Sequence, residues 1–151
     1  MCKAKANGNY LNSMLASQEA QNCRYDEALL LDNEGYVTEG SGENIFIVRN
    51  GTLYTPDLTS ALEGITRDTI IVLAAAAGLP VREKRITRDE VYIADEAFFT
   101  GTAAEVTPIR ELDGRMIGNG LRGPVTGQLQ AGYFNLVHGK ANTCPEWLCY
   151  I

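Results

Sequence analysis

Basic runs, long apolar stretches and histidine are what this chain has least of. Its 13 lysines and arginines are outnumbered by 19 acidic residues, which gives 151 residues a net charge of -6, and nowhere do the cations cluster. Such a surface repels a phosphate backbone, so nucleic acid is not an expected partner. No segment approaches the roughly 18 to 20 uninterrupted apolar residues of a membrane span, and the N-terminus lacks the apolar stretch of a signal peptide. The expected setting is therefore soluble and cytoplasmic, with no membrane contact. The single histidine, His138, has no acid or nucleophile beside it in any motif. The four cysteines, Cys2, Cys23, Cys144 and Cys149, are unevenly spread with no CxxC pair, so neither a disulfide framework nor a zinc site is expected.

What is present suits one domain spanning residues 1–151: 45% hydrophobic residues and no repeat, low-complexity tract or long linker. Tyr10, Leu11, Met14 and Leu15 recur at helical spacing and predict a helix from Tyr10 to about Asn22. Glu27 to Leu31 and Tyr36 to Glu39 flank a turn at Asn33, Glu34 and Gly35, the pattern of a hairpin. A second hairpin joins Ile45 to Arg49 with Thr52 to Thr55 through Asn50 and Gly51, residue types that tolerate the positive φ of a type I′ turn. Ile70, Leu73, Ala74 and Ala77 mark a helix face that stops at Gly78 and Pro80. A strand is expected over Val81 to Ile86, then a short helix opened by the capping pair Thr87 and Glu90, then a strand at Glu96 to Thr100. Asp113 and Gly114 give another turn. Pro124 suits the first turn of a last helix, Val125 to about Val137, closed by Gly139. Interleaved strands and helices make a mixed α/β fold.

Three places gather polar groups between apolar elements. In AKANGNYL, Ala4 to Leu11, Lys5 precedes a helix start and Tyr10 lies on its first turn; by itself such a lysine is usually a solvated charge. In EGSGEN, Glu39 to Asn44, two glycines sit between carboxylates, without the Lys-Ser/Thr of a P-loop or the third glycine of a dinucleotide fingerprint. The third place is split between LEGIT, Leu62 to Thr66, and TGTAAEVTP, Thr100 to Pro108. Gly64, Ile65 and Thr66 open a helix whose free N–H groups favour an anion, and Thr102 adds a hydroxyl. The plainer reading is N-capping by Thr66.

Taken together and in order, these segments resemble the class IV pyridoxal 5′-phosphate (PLP) aminotransferases, most closely the branched-chain amino acid group. AKANGNYLNS is similar to the family's PLP-lysine segment, GYVTEGSGENIF to the signature around the carboxylate facing the pyridine ring, LEGITRD to the phosphate turn, and YIADEAFFTGTAAEVTP to the substrate segment. The resemblance implies that Lys5 forms the Schiff base and acts as the catalytic residue, that Tyr10 hydrogen-bonds the ring oxygen, and that Glu39 pairs with the ring nitrogen. It also implies that Leu62, Gly64, Ile65, Thr66 and Thr102 hold the phosphate. The backbone N–H groups of Ala103 and Ala104 would hold the substrate carboxylate.

The implied fold is the larger C-terminal domain of the class IV architecture, a mixed sheet partly curled into a barrel with helices outside. The implied reaction is transamination of branched-chain L-amino acids with 2-oxoglutarate, by a homodimer or higher homo-oligomer when full length. Family chains carry an N-terminal domain ahead of the PLP lysine, contributing an arginine to the phosphate and aromatic side chains to the substrate pocket; here Lys5 stands at the start, and that domain is expected to be absent. Other readings of the same positions are a D-amino acid aminotransferase, an aminodeoxychorismate lyase, and an inactive relative serving as an interaction module.

Overall fold

The computed structural model describes residues 4–141 together with Cys144 and Trp147; Cys2, Cys149 and most of the closing Trp-Leu segment lie outside the described residues. A 3₁₀ turn at Asn7–Tyr10 runs into α1, Leu11–Asn22. Then come β1, Leu29–Leu31, β2, Tyr36–Gly40, β3, Asn44–Arg49, and β4, Thr52–Thr55. The helix α2 covers Ile65–Ala76, followed by β5, Val81–Glu83, β6, Ile86–Thr87, and α3, Arg88–Tyr92. The chain finishes with β7, Glu96–Gly101, β8, Glu105–Pro108, β9, Glu111–Leu112, β10, Arg115–Met116, and α4, Pro124–Val137.

The central five-stranded sheet has the order β5-β4-β3-β7-β8, antiparallel except for the parallel β4–β5 pair. Ile45, Phe46, Ile47 and Val48 on β3 are all buried, the continuous apolar run of a strand covered on both faces. Phe46, Val48 and Phe98 face α2 and α4, where they pack with Ile70, Ala74, Leu129 and Tyr133. Ile45, Ile47, Ala97 and Phe99 face the other way, onto Val37, Ile86, Val91 and Ile117. Phe46 and Phe98 are cross-strand partners whose rings stack at 5.2 Å.

Most of the turn chemistry acts as its residue types dictate. Asn50 and Gly51 both have positive φ, 49° and 71°. The Glu90 carboxylate accepts the Thr87 N–H at 3.0 Å, completing the capping box of α3. Two expectations change. The strand expected over Val81 to Ile86 is two short strands in different sheets, because β5 pairs with β4 while β6 pairs with β2; the charged Lys84 and Arg85 occupy the crossing between them. The apolar stripe of α1 does not enter the core: Leu11, Met14 and Leu15 are 64%, 66% and 64% exposed. The described strands form separate sheets of three, two and five, with no closed barrel among them. No described helix is long and apolar enough to cross a membrane.

Candidate active site

The ends of β2, β3 and β7, the 3₁₀ turn and the start of α2 surround one cavity of about 890 Å³. Lys5, Tyr10, Glu39, Leu62, Gly64, Ile65, Thr66 and Thr102 all line it. They come from four stretches of chain separated by up to about a hundred residues, which only the fold brings together. Ala103 and Ala104 stand apart from this set. They occupy the turn between β7 and β8, next to Gly101 and Thr102 of the cavity wall, and do not line it.

Lys5 is exposed on the cavity side of the chain's first turn. The Asn9 side-chain amide donates to the Ala4 carbonyl at 2.7 Å, and the Asn9 N–H donates to the Ala6 carbonyl at 2.9 Å. The backbone flanking Lys5 is thereby tied to the 3₁₀ turn that carries Tyr10. Across the cavity, Glu39 is half-buried at the end of β2, and its Oε2 accepts the Leu62 N–H at 2.9 Å. Burial raises the titration of this carboxyl above the ordinary glutamate range, with the Leu62 N–H opposing. Glu43 is shifted the same way, first by burial and further by the nearby carboxylates of Glu27 and Glu39, while the Gly42 N–H opposes.

The raised titration of Glu39 has a sign that can be checked. A carboxyl that binds its proton more tightly folded than unfolded contributes stability at low pH and loses it as pH rises through its folded titration. Without ligand, the stability of the wild-type chain minus that of Glu39→Gln should therefore fall as pH climbs through and above the ordinary glutamate range. Urea denaturation over a pH series reads this difference, and one that grows with pH would contradict the burial assigned to Glu39.

The start of α2 is arranged differently from simple capping by Thr66. Gly64 is the N-cap, in extended conformation, and no side chain caps the helix. Thr66 is inside the first turn and buried. The first helical hydrogen bond runs from the Asp68 N–H to the Gly64 carbonyl at 3.1 Å, so the N–H groups ahead of it have no intrahelical acceptor and point to the cavity end of the helix. Gly64 is required by space, since a Cβ there would lie 2.2 Å from Asn44 Oδ1. The Asn44 amide in turn donates to the Leu62 carbonyl at 2.7 Å and holds the turn against β3.

Arg67, in the first turn of α2, ties the helix start to the residue after β4 and to β5. It is 2% exposed and donates to the Pro56 carbonyl at 3.2 Å and to Glu83 at 2.6 Å. Sequence patterns assigned no role to Asn44 or Arg67. Both lie inside the motifs EGSGEN and LEGITRD, and a charged residue beside an apolar helix face was the available signal for Arg67. A carboxylate at a half-buried position, an uncapped helix start, a glycine-lined turn and two threonine hydroxyls fit a phosphate-bearing cationic ring. Lys5 is the lysine among the described residues that line the cavity.

Comparison with known proteins points the same way. Residues 2–112 match the family model for amino-transferase class IV. The branched-chain-amino-acid aminotransferase of Pseudomonas aeruginosa is 67% identical over 147 residues, covering 97% of this chain and 48% of that protein. A probable branched-chain-amino-acid aminotransferase of Aquifex aeolicus is 54% identical, over 95% of this chain and 47% of its own length. Among solved structures, the Escherichia coli branched-chain amino acid aminotransferase superposes with a TM-score of 0.96 at 48% identity, covering 99% of this chain and 51% of that one. The Thermobaculum terrenum enzyme in its PLP form also gives 0.96 at 48% identity, with 98% and 49% covered. The chain thus spans about half the length of the relatives it matches. On the match to the family model and on these identities, the chain belongs to the class IV aminotransferases.

Proposed function

We propose that this chain is the cofactor-bearing, C-terminal part of an enzyme that uses PLP to transfer amino groups between branched-chain L-amino acids (Leu, Ile, Val) and 2-oxoglutarate. The observation that carries this reading is the convergence of Lys5, Tyr10, Glu39, the 62–66 turn and Thr102 on one cavity. When bound, PLP supplies the electron sink for the carbon beside the substrate carboxylate. Everything else falls to the protein.

Lys5 attaches the cofactor covalently. Once substrate has displaced it, its amine would take the proton from that carbon and return it to the cofactor. Tyr10 donates a hydrogen bond to the ring oxygen. Glu39 keeps the ring nitrogen protonated, and a cation at that position would reverse the upward shift that burial alone imposes on its carboxyl. The α2 N–H groups with Thr66 and Thr102 bind the phosphate dianion at the positive helix end. Ala103 and Ala104 present N–H groups to the substrate carboxylate from the edge of the cavity.

The three-stranded and five-stranded sheets meet at the 40–43 turn, where the Gly40 N–H donates to the Glu43 carbonyl at 2.7 Å. We read that corner as the start of the partial barrel of the family's larger domain. The whole protein would be cytoplasmic and at least a homodimer. The 151 residues alone should bind PLP weakly and turn over slowly or not at all, because the exposed apolar face of α1 and the open side of the cavity leave the substrate incompletely enclosed. Amino donors offered to the full-length protein test the substrate assignment. Leu, Ile and Val should be accepted and D-alanine refused, and preference for D-alanine would overturn it.

A further inference from the structure

We propose that Thr100 is an additional phosphate-binding residue of this site, a position to which the family resemblance gives no role. The inference rests on the reading of the chain as a PLP protein. Thr100 lies near the end of β7, directly opposite Asn44 on β3. Cross-strand partners share a sheet face, and two-residue alternation puts Thr100 with Phe98, on the face covered by α2. Asn44 reaches the phosphate turn from that face, touching both Leu62 and Gly64. Thr100 is thus beside it, under the uncapped start of α2.

Thr100 is only 1% exposed yet lines the cavity. Its Oγ1 is buried with no hydrogen-bond partner. Such a hydroxyl is costly, and native proteins nearly always satisfy it. The other buried threonines whose bonds are known have protein acceptors: Thr38 donates to the Leu30 carbonyl at 3.2 Å, Thr55 to the Ile45 carbonyl at 2.8 Å and Thr126 to Glu96 at 2.7 Å. Thr100 alone of these four is left for something that enters the cavity. A phosphate oxygen at the α2 start is an acceptor of the right charge, and rotation about χ1 exchanges methyl and hydroxyl at the cavity wall without moving the strand.

The test titrates the 151-residue chain and its Thr100→Val and Thr100→Ser variants with PLP and, separately, with pyridoxal, which has no phosphate. Thermal unfolding without ligand is followed in parallel. Thr100→Val should weaken PLP at least about tenfold, the loss expected for a hydrogen bond to a charged group, and leave pyridoxal unchanged. The unliganded melting temperature should hold or rise, since an orphan hydroxyl is replaced by a methyl of similar shape. Thr100→Ser should bind PLP like wild type. Equal PLP affinity in wild type and Thr100→Val, or equal weakening of PLP and pyridoxal, overturns the inference while leaving the proposed function intact. A wild-type chain that binds no PLP overturns both.

Discussion

Replacing Lys5 with alanine should abolish covalent attachment of PLP while leaving the fold unchanged. Lys5 is exposed, its side chain contributes nothing to either apolar core, and the 3₁₀ turn beside it is held by Asn9 bonds that do not involve the lysine side chain. Loss of the amine therefore costs no packing. The phosphate and ring contacts proposed for Thr66, Glu39 and Tyr10 would remain, so PLP should still associate, reversibly and more weakly. Absorption spectra separate the two states: wild type with saturating PLP should show the shifted band of a lysine-bound cofactor, and Lys5→Ala only the spectrum of the free aldehyde. In the full-length protein, loss of the proton-transferring amine should lower turnover by about 10²- to 10⁴-fold or more. An unshifted spectrum in wild type, or the same shift in both proteins, would contradict the role of Lys5.

The second large effect lies away from the cavity, at Glu96. This carboxylate is buried at the start of β7 and accepts the Val125 N–H at 3.0 Å, the Thr126 N–H at 2.7 Å and the Thr126 hydroxyl at 2.7 Å. A strand residue thus caps α4 from 29 and 30 positions earlier in the chain. Gly123, the N-cap of α4, has no side chain to do so, and a Cβ there would come within 2.0 Å of the Glu96 carboxyl carbon. Glu96→Ala leaves two N–H groups and a hydroxyl unsatisfied in a dry site. It should cost about 3 kcal/mol, the combined size of a lost cap and buried unpaired donors. Gly123→Ala should destabilise through the same contact by displacing the carboxylate. Guanidinium unfolding measures both, and a loss below about 1 kcal/mol for Glu96→Ala would mean that another group caps α4.

The elements that were legible in the sequence are those whose signals are local. The Asn50-Gly51 hairpin, the Thr87-Glu90 capping box, the Gly78 stop of α2 and the Pro124 start of α4 each depend on residues within a few positions of one another. What was hidden depends on partners far along the chain. The break between β5 and β6 follows from two different strands claiming the segment, β4 and β2. Glu96 reads as a strand residue until α4 is placed above it. Leu11, Met14 and Leu15 have the spacing of a core-facing stripe, and periodicity cannot say that nothing among the described residues covers it.

The site divides the same way. Lys5 had no special standing in its own neighbourhood, and resemblance raised it by supplying Glu39, the 62–66 turn and Thr102 as company. The fold then gathers those residues on one cavity. It adds Asn44, whose amide holds the 62–66 turn, with Arg67 and Thr100, none of which a spacing rule singles out. It also replaces capping by Thr66 with an uncapped helix start behind Gly64, an arrangement better suited to an anion.

Covalent labelling tests the central claim most directly. The chain has four lysines, Lys3, Lys5, Lys84 and Lys140, and any of them could react adventitiously with an aldehyde. Borohydride reduction of the chain with PLP, followed by peptide mass mapping at limiting cofactor, should place the pyridoxyl phosphate label on Lys5 alone. Label spread over the four lysines, or concentrated on one of the other three, would contradict the account.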